Sequence, residues 1–182
     1  MKSRTKNRLV LVLVVLVFAA PLLVAYVMNR EGWRPQQTRN SGTLVEPPRD
    51  VSAVPVTLTG GAKLAWRDPQ WHWTLLALPG AQCAARCQAR LDEALRMYIT
   101  LGRNAERLRL VYLGPALPSE YLAARAALQS GQDDSDALAE YRAQGEDALA
   151  LALVDPNGLL MLRYPQRYDA QGLRSDIQKL LH

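Results

Sequence analysis

The residues of this sequence with the clearest chemistry are its two cysteines, Cys83 and Cys87. They are separated by three residues, at the point where an apolar run that predicts a strand gives way to a predicted helix. At such a helix N-terminus, unpaired amide N–H groups and the helix dipole are expected to stabilise a thiolate, and Arg86 adds positive charge. Both disulfide exchange and soft metal ions require a thiolate. The spacing therefore predicts a redox pair or a metal site.

A structural disulfide is the alternative interpretation of the same two cysteines, because an exported domain can use such a bond for stability. The bond would close a loop of only about five residues, so the expected gain from chain entropy is small. We therefore favour a functional pair. The sequence has no phosphate loop, dinucleotide glycine pattern, H-E-x-x-H motif or serine nucleophile elbow, so no other reaction is indicated. His72, on the predicted strand before Cys83, is interpreted as a strand residue rather than a ligand.

Alternating apolar periods predict that the chain around these cysteines folds as an α/β domain. A β-α-β opening predicts parallel strands covered by helices on both faces of a sheet. The full order, β-α-β-α-β-β-α, is that of a thioredoxin-like fold, preceded by two short additional strands. The predicted strands span residues 56–58, 63–66, 71–78, 108–113, 148–154 and 159–164, and the predicted helices span residues 84–101, 119–130 and 171–181, with a further helical turn or two within 133–142.

The N-terminal part of the chain predicts a membrane anchor. Residues 9–28 carry no charge, and about 20 residues at about 1.5 Å each match a hydrocarbon layer of roughly 30 Å. A cleaved signal peptide is the alternative, but the apolar run is long for one and no clear A-x-A site follows it. The basic tail, residues 1–8, is expected to stay in the cytoplasm, so the chain after the span is expected outside. Residues 29–55 predict a polar tether, and residues 56–182 predict the thioredoxin-like domain.

The net charge of +5 is explained by the basic tail. Its four basic residues belong to a total of 22 Lys and Arg, and the 18 that remain are balanced by 17 Asp and Glu. The rest of the chain has no basic stripe with interleaved aromatic residues, so nucleic acid is not a predicted partner.

The pattern resembles the Sco/SenC family of copper-handling, thioredoxin-like assembly factors for cytochrome c oxidase. The resemblance rests on the run from Trp73 into Cys83-Ala-Ala-Arg-Cys87, the N-terminal anchor, and the late hairpin motif Val154-Asp-Pro-Asn-Gly158. It implies Cu(I) bound by both cysteine sulfurs and a domain in the periplasm, on the outer face of a bacterial inner membrane. It also implies a respiratory oxidase subunit, or another copper or thiol assembly factor, as the partner.

Sco proteins supply a third ligand, a histidine about eight residues before the aspartate of that hairpin motif, and Asp147 occupies this position here. A carboxylate is a hard ligand, less suited than imidazole to Cu(I) and more plausible for Cu(II). Three hypotheses follow. The chain is a Sco-like protein that assists copper-centre maturation by copper handling or thiol reduction, an exported thiol-disulfide oxidoreductase and hence an enzyme, or a non-catalytic scaffold with a structural disulfide.

Overall fold

The computed structural model describes residues 2–30 and 40–181. The chain divides into two compact units between Arg39 and Asn40. The first unit contains helix α1, Lys2–Arg30, with Pro21 inside it. Its segment Arg8–Met28 is long and apolar enough to cross a membrane, a test of length and composition that a signal sequence also passes. The predicted apolar span at residues 9–28 is therefore a continuous helix.

The second unit contains the strands and the remaining helices. Its strands are β1 Thr43–Asp50, β2 Val56–Leu58, β3 Trp73–Pro79, β4 Leu108–Leu113, β5 Leu128–Asp133, β6 Leu149–Val154 and β7 Leu159–Tyr164, and its helices are α2 Ala85–Thr100, α3 Ser119–Ala123 and α4 Ala170–Leu180. Two short 3₁₀ segments, Gly102–Arg107 and Ala139–Tyr141, complete it.

The strands form one mixed sheet with the order β1-β7-β6-β3-β4-β5-β2. Strand β3 lies at its centre and pairs in parallel with β4 and antiparallel with β6. Strands β4 and β5 are also parallel, whereas β1 and β2 close the two edges by antiparallel pairing with β7 and β5. The parallel β3-α2-β4 unit and the β6-β7 hairpin confirm the predicted thioredoxin-like α/β fold.

The two faces of the sheet are covered by different kinds of structure. Leu75 of β3 belongs to a core that includes buried residues of α2 and α4. Its neighbour Leu76 points to the opposite face, as successive strand residues do, and belongs to a second core. Trp66 and Leu138, which lie outside the helices, close that second core together with the 3₁₀ segment Ala139–Tyr141. The expectation of helices on both faces is therefore wrong for the described part of the chain.

The helix predicted at residues 119–130 is wrong beyond Ala123. The chain from Leu128 to Asp133 is β5, which pairs in parallel with β4 and antiparallel with β2. Its sequence, LQSGQD, has little strand character of its own, so pairing on both sides determines its conformation. Gly131 permits this pairing, because a Cβ there would lie 2.5 Å from the Thr57 carbonyl oxygen.

The tether predicted at residues 29–55 is wrong in its C-terminal part, because Thr43–Asp50 is strand β1. This polar strand at the sheet edge contains two prolines, and its register with β7 shifts between Leu44 and Arg49. The sequence therefore has no alternating apolar pattern there that would predict a strand. Residues 31–39 of the predicted tether lie outside the described residues. The strand predicted at residues 63–66 is also wrong, since only Lys63 forms a bridge, to Thr57.

Candidate redox site at the start of helix α2

Cys83 and Cys87 form a disulfide, with their Cα atoms 4.9 Å apart. Cys83 lies in the loop between β3 and α2 and is partly exposed, whereas Cys87 is in the first turn of α2 and is fully buried. A reagent in solution therefore has access to Cys83 and not to Cys87. This difference in access suits disulfide exchange, in which one sulfur is attacked and the other leaves.

The loop before Cys83 lies against a second segment, residues 145–148, that precedes β6. The N–H of Gly80 donates to the carbonyl of Ala148 at 3.0 Å, and the N–H of Gln82 donates to that of Glu146 at 2.8 Å. A Cβ at Gly80 would lie only 1.7 Å from the carbonyl oxygen of Gly145. Gly80 is therefore required for this close approach, which brings the segment before β6 to the start of α2.

Asp147, on that segment, caps α2. The N-cap residue Ala84 has no side-chain hydrogen-bond acceptor of its own. Instead, the N–H groups of Ala84 and Cys87 donate to Asp147 Oδ1 at 2.8 and 3.0 Å. The N–H of Arg86 donates to Asp147 Oδ2 at 2.9 Å, across 61 positions of sequence. Asp147 thus takes the amide hydrogens at the second and third helical positions, which an N-cap side chain ordinarily accepts.

These hydrogen bonds determine the charge at the site. The N–H of Cys87, together with those of Arg86 and Ala84, lowers the pKa of the Asp147 carboxyl, which is ionised at neutral pH. The Arg86 Nε atom lies 3.6 Å from Asp147 Oδ2, but the Arg86 side chain is 82% exposed, so water screens this pair strongly. The start of α2 therefore holds a fixed negative charge beside the disulfide.

The expectation that free amides of the first turn stabilise a thiolate is therefore wrong for Ala84, Arg86 and Cys87, whose N–H groups all donate to Asp147. Sequence reasoning missed this role of Asp147 and the packing of Gly80 against Gly145. One local signal was present: alanine at the N-cap position cannot accept the first-turn amide hydrogens, so their acceptor must come from outside the N-cap side chain.

The histidine nearest to the cysteines in sequence lies elsewhere in the fold. His72 Nδ1 is 2.8 Å from Asp68 Oδ2, before the first residue of β3. The cysteines follow the last residue of β3, so the two places are roughly 20 Å apart along the strand. Among residues 2–30 and 40–181, no group of three His, Cys, Asp or Glu side chains is arranged to hold a metal ion. At the start of α2, the groups suited to a soft metal are the two cysteine sulfurs, once they are reduced.

A groove of about 450 Å³ lies beside Asp147, along α2. Arg86, Arg90 and Arg167 contribute to its lining. The guanidinium of Arg90 is held in place, because it donates to the carbonyl of Tyr168 at 2.6 Å and stacks over the Tyr168 ring at 4.1 Å. The surface beside the cysteine pair is therefore an open groove, where Arg90 is held in place and Arg86 is exposed.

The strand order and the cysteine pair at the start of the first domain helix define the second unit as a thioredoxin-like domain. The chain belongs to the family described as transmembrane-like, thioredoxin-like, C-terminal domain, whose profile matches residues 73–182. No curated protein matches the chain.

Solved structures with the same fold include copper-bound Sco proteins. Yeast Sco1 with copper bound is 15% identical, with a TM-score of 0.56 over 80% of this chain and 94% of that one. Arabidopsis thaliana ScoI with copper bound is 14% identical, with a TM-score of 0.54 over 76% and 97%. The bacterioferritin comigratory protein of Xanthomonas campestris is 13% identical, with a TM-score of 0.52 over 77% and 98%. The predicted resemblance to Sco proteins is confirmed as a Sco-like fold.

Proposed function

We propose that this chain is a membrane-anchored Sco-like protein whose Cys83–Cys87 pair performs thiol-disulfide exchange with a client protein. The observation that carries the proposal is the bonded pair at the start of α2, in which Cys83 is partly exposed and Cys87 is buried. In the reduced protein, the Cys83 thiolate attacks a client disulfide and forms a mixed disulfide. The Cys87 thiolate then attacks Cys83 Sγ, closes the internal bond and releases the client with both its thiols reduced.

The client that we propose is a respiratory oxidase subunit whose copper-binding cysteines must be reduced before they receive metal. The Sco-like fold supports this choice. In cells that lack the chain, we expect the oxidase to lose copper and activity, and we expect the wild-type chain but not Cys83→Ser to restore both. Full restoration by Cys83→Ser would instead favour the scaffold hypothesis.

Trapping experiments test the exchange chemistry directly. The full chain in detergent is reduced and treated with oxidised glutathione, and the adduct is measured by mass. We expect Cys87→Ser to accumulate one glutathione on Cys83, because the residue that resolves the mixed disulfide is gone. Cys83→Ser should form little adduct, because the remaining thiol is buried. Equal labelling of the two variants would contradict the assigned roles.

Cu(I) binding by the reduced pair is the second candidate function. Two thiolates suffice for this soft ion, and the structures of yeast Sco1 and Arabidopsis thaliana ScoI were solved with copper bound. Asp147 is a poor third ligand here, since both its oxygens already accept hydrogen bonds from amides of α2. Anaerobic titration of the reduced chain against a competing Cu(I) chelator should show one ion bound, and either serine substitution should remove it. Binding that survives both substitutions would exclude this site.

The topology that we propose has the N-terminus in the cytoplasm and the domain in the periplasm, at a bacterial inner membrane. The basic residues before the apolar segment Arg8–Met28 support it. A reporter that is active only outside the cytoplasm should work when fused after the last residue. Activity of a cytoplasmic reporter at that place would contradict the topology and put the pair in a compartment where thiols are kept reduced.

A further inference from the structure

We infer that Asp147 is a positioning residue that biases the Cys83–Cys87 pair towards the disulfide, because its carboxylate holds the amide groups that a negatively charged sulfur would otherwise use. The inference rests on the proposed exchange function, and it identifies the residue outside the cysteine pair that sets the balance between the oxidised and reduced forms.

The reduction of the pair determines where negative charge develops. When glutathione reduces the pair, one glutathione thiolate attacks the partly exposed Cys83 Sγ, the internal S–S bond breaks, and Cys87 Sγ leaves with the electron pair. A second glutathione thiolate attacks the mixed disulfide and displaces Cys83, which yields oxidised glutathione and two cysteines that take up the two glutathione protons. Negative charge therefore develops on buried Cys87 during the step that opens the pair.

The amide groups around that charge determine how well it is stabilised. Free amides at a helix N-terminus stabilise a negative sulfur, and a low-energy reduced form makes a cysteine pair oxidising. In this domain the N–H of Cys87 itself donates to Asp147 at 3.0 Å, and the N–H of Arg86 does so at 2.9 Å. These amide groups are thus unavailable to a negatively charged sulfur of the opened pair, and the Asp147 carboxylate lies at the same turn of α2 as Cys87. Both effects disfavour the opened pair.

Asp147 is held in place by its own segment. Backbone hydrogen bonds join Gly80 to Ala148 and Gln82 to Glu146, on both sides of Asp147. The carboxylate therefore stays over the first turn of α2 by backbone pairing, in addition to its hydrogen bonds to the helix. Since Arg86 is 82% exposed, it offsets little of the negative charge.

The test is a glutathione redox titration of the full chain in detergent, with the free thiols counted after acid quenching and alkylation. For Asp147→Asn, we expect half-reduction at a glutathione ratio about tenfold less reducing than for the wild type, a rise of about 30 mV in reduction potential. Asp169→Asn is the matched control, because Asp169 caps α4 with an equivalent carboxylate, on a helix without cysteines. It should change the ratio less than about twofold.

The outcomes separate this inference from the proposed function. If the wild type exchanges and Asp147→Asn titrates at the same ratio, the inference is overturned and the exchange function stands. If the wild type stays oxidised at every ratio while Asp147→Asn is reduced, the inference is supported and the exchange function is contradicted. If neither is reduced, both fail. An equal shift in Asp169→Asn would also overturn the inference.

A second variant applies if Asp147→Asn does not fold. Ala84 is exposed and has the extended backbone of an N-cap residue, so a serine there can accept the first-turn amides without a negative charge. The double variant Ala84→Ser/Asp147→Asn should fold and show the tenfold shift. The double variant Ala84→Asp/Asp147→Asn restores the negative cap and should return the ratio to that of the wild type. Identical ratios in the two double variants would overturn the inference.

Discussion

In both α2 and α4, an aspartate carboxylate accepts hydrogen bonds from amide groups at the start of the helix, but the aspartate comes from a different place in each case. In α4 the N-cap residue Asp169 accepts hydrogen bonds from the N–H groups of Gln171 and Gly172, two and three positions later. In α2 the N-cap residue is Ala84, and Asp147 reaches the helix from the segment before β6. A cap supplied by the helix itself stabilises that helix alone. A cap supplied from elsewhere also joins the cysteine loop to the segment that precedes β6. The packing of that segment and the redox chemistry of the cysteines therefore both depend on the Asp147 carboxylate.

The largest change in stability should come from Gly80→Ala, which pushes the loop before Cys83 away from residues 145–148. The new Cβ would lie 1.7 Å from the Gly145 carbonyl oxygen, so backbone must move. We expect a loss of about 3 kcal/mol in the free energy of unfolding, measured by denaturant, with the Asp147 cap lost as well.

The control for that substitution is Gly60→Ala, where a Cβ meets nothing within 4 Å but φ is +103°. It should cost about 1 kcal/mol through backbone strain alone and leave the glutathione titration unchanged. Equal losses in the two variants would show that the approach of the two segments is not critical.

Histidine substitutions at the two capping positions, Asp147 and Asp169, should give variants that differ in Cu(II) affinity. Asp147→His places an imidazole beside the cysteines, so we expect Cu(II) affinity to rise at least about tenfold, the scale of one metal-site partner. Asp169→His places the same group at the N-cap of α4, a helix without cysteines, and should leave Cu(II) affinity unchanged. Titration with Cu(II) measures both, and a gain in both variants would indicate binding by histidine alone.

Removal of the local cap should affect stability without affecting redox chemistry. Asp169→Ala leaves two N–H groups of α4 without their acceptor and is expected to lower the free energy of unfolding by about 1 kcal/mol. The mixed-disulfide yield at Cys83 should match that of the wild type. A changed yield would mean that the ends of α2 and α4 are coupled, contrary to the comparison.

The smallest effect is the pH dependence of the cap on α2. The folded-state pKa of Asp147 lies below its ordinary value of 3.8, chiefly because of the hydrogen bond from the Cys87 N–H. A carboxylate with a lowered pKa contributes stability that is complete above the unfolded pKa and is lost as pH falls through the folded pKa. The difference in stability between the oxidised wild type and Asp147→Asn should therefore be constant from about pH 7 to about pH 5 and shrink below about pH 4. A difference that persists at about pH 2 would exclude the charge as its cause.

The sequence predicted the elements whose signals are local. Strand β4, Leu108–Leu113, has the predicted bounds, because a continuous apolar run is stopped by Gly114 and Pro115. The β6-β7 hairpin follows from the Asp-Pro-Asn-Gly turn between two apolar runs, and α2 follows from its helical apolar period. Because these signals also place the cysteine pair where the first core strand gives way to a helix, the location of the candidate site could be predicted as well.

Only the tertiary structure decided the features that depend on distant partners. Leu128–Asp133 is a strand because β4 and β2 pair with it, and Thr43–Asp50 is a strand because β7 offers it an edge. The role of Asp147 belongs to the same class. A carboxylate that caps amides 60, 61 and 63 positions away leaves no periodicity and no spacing in the sequence, since only the pairing of two loops brings it to the helix.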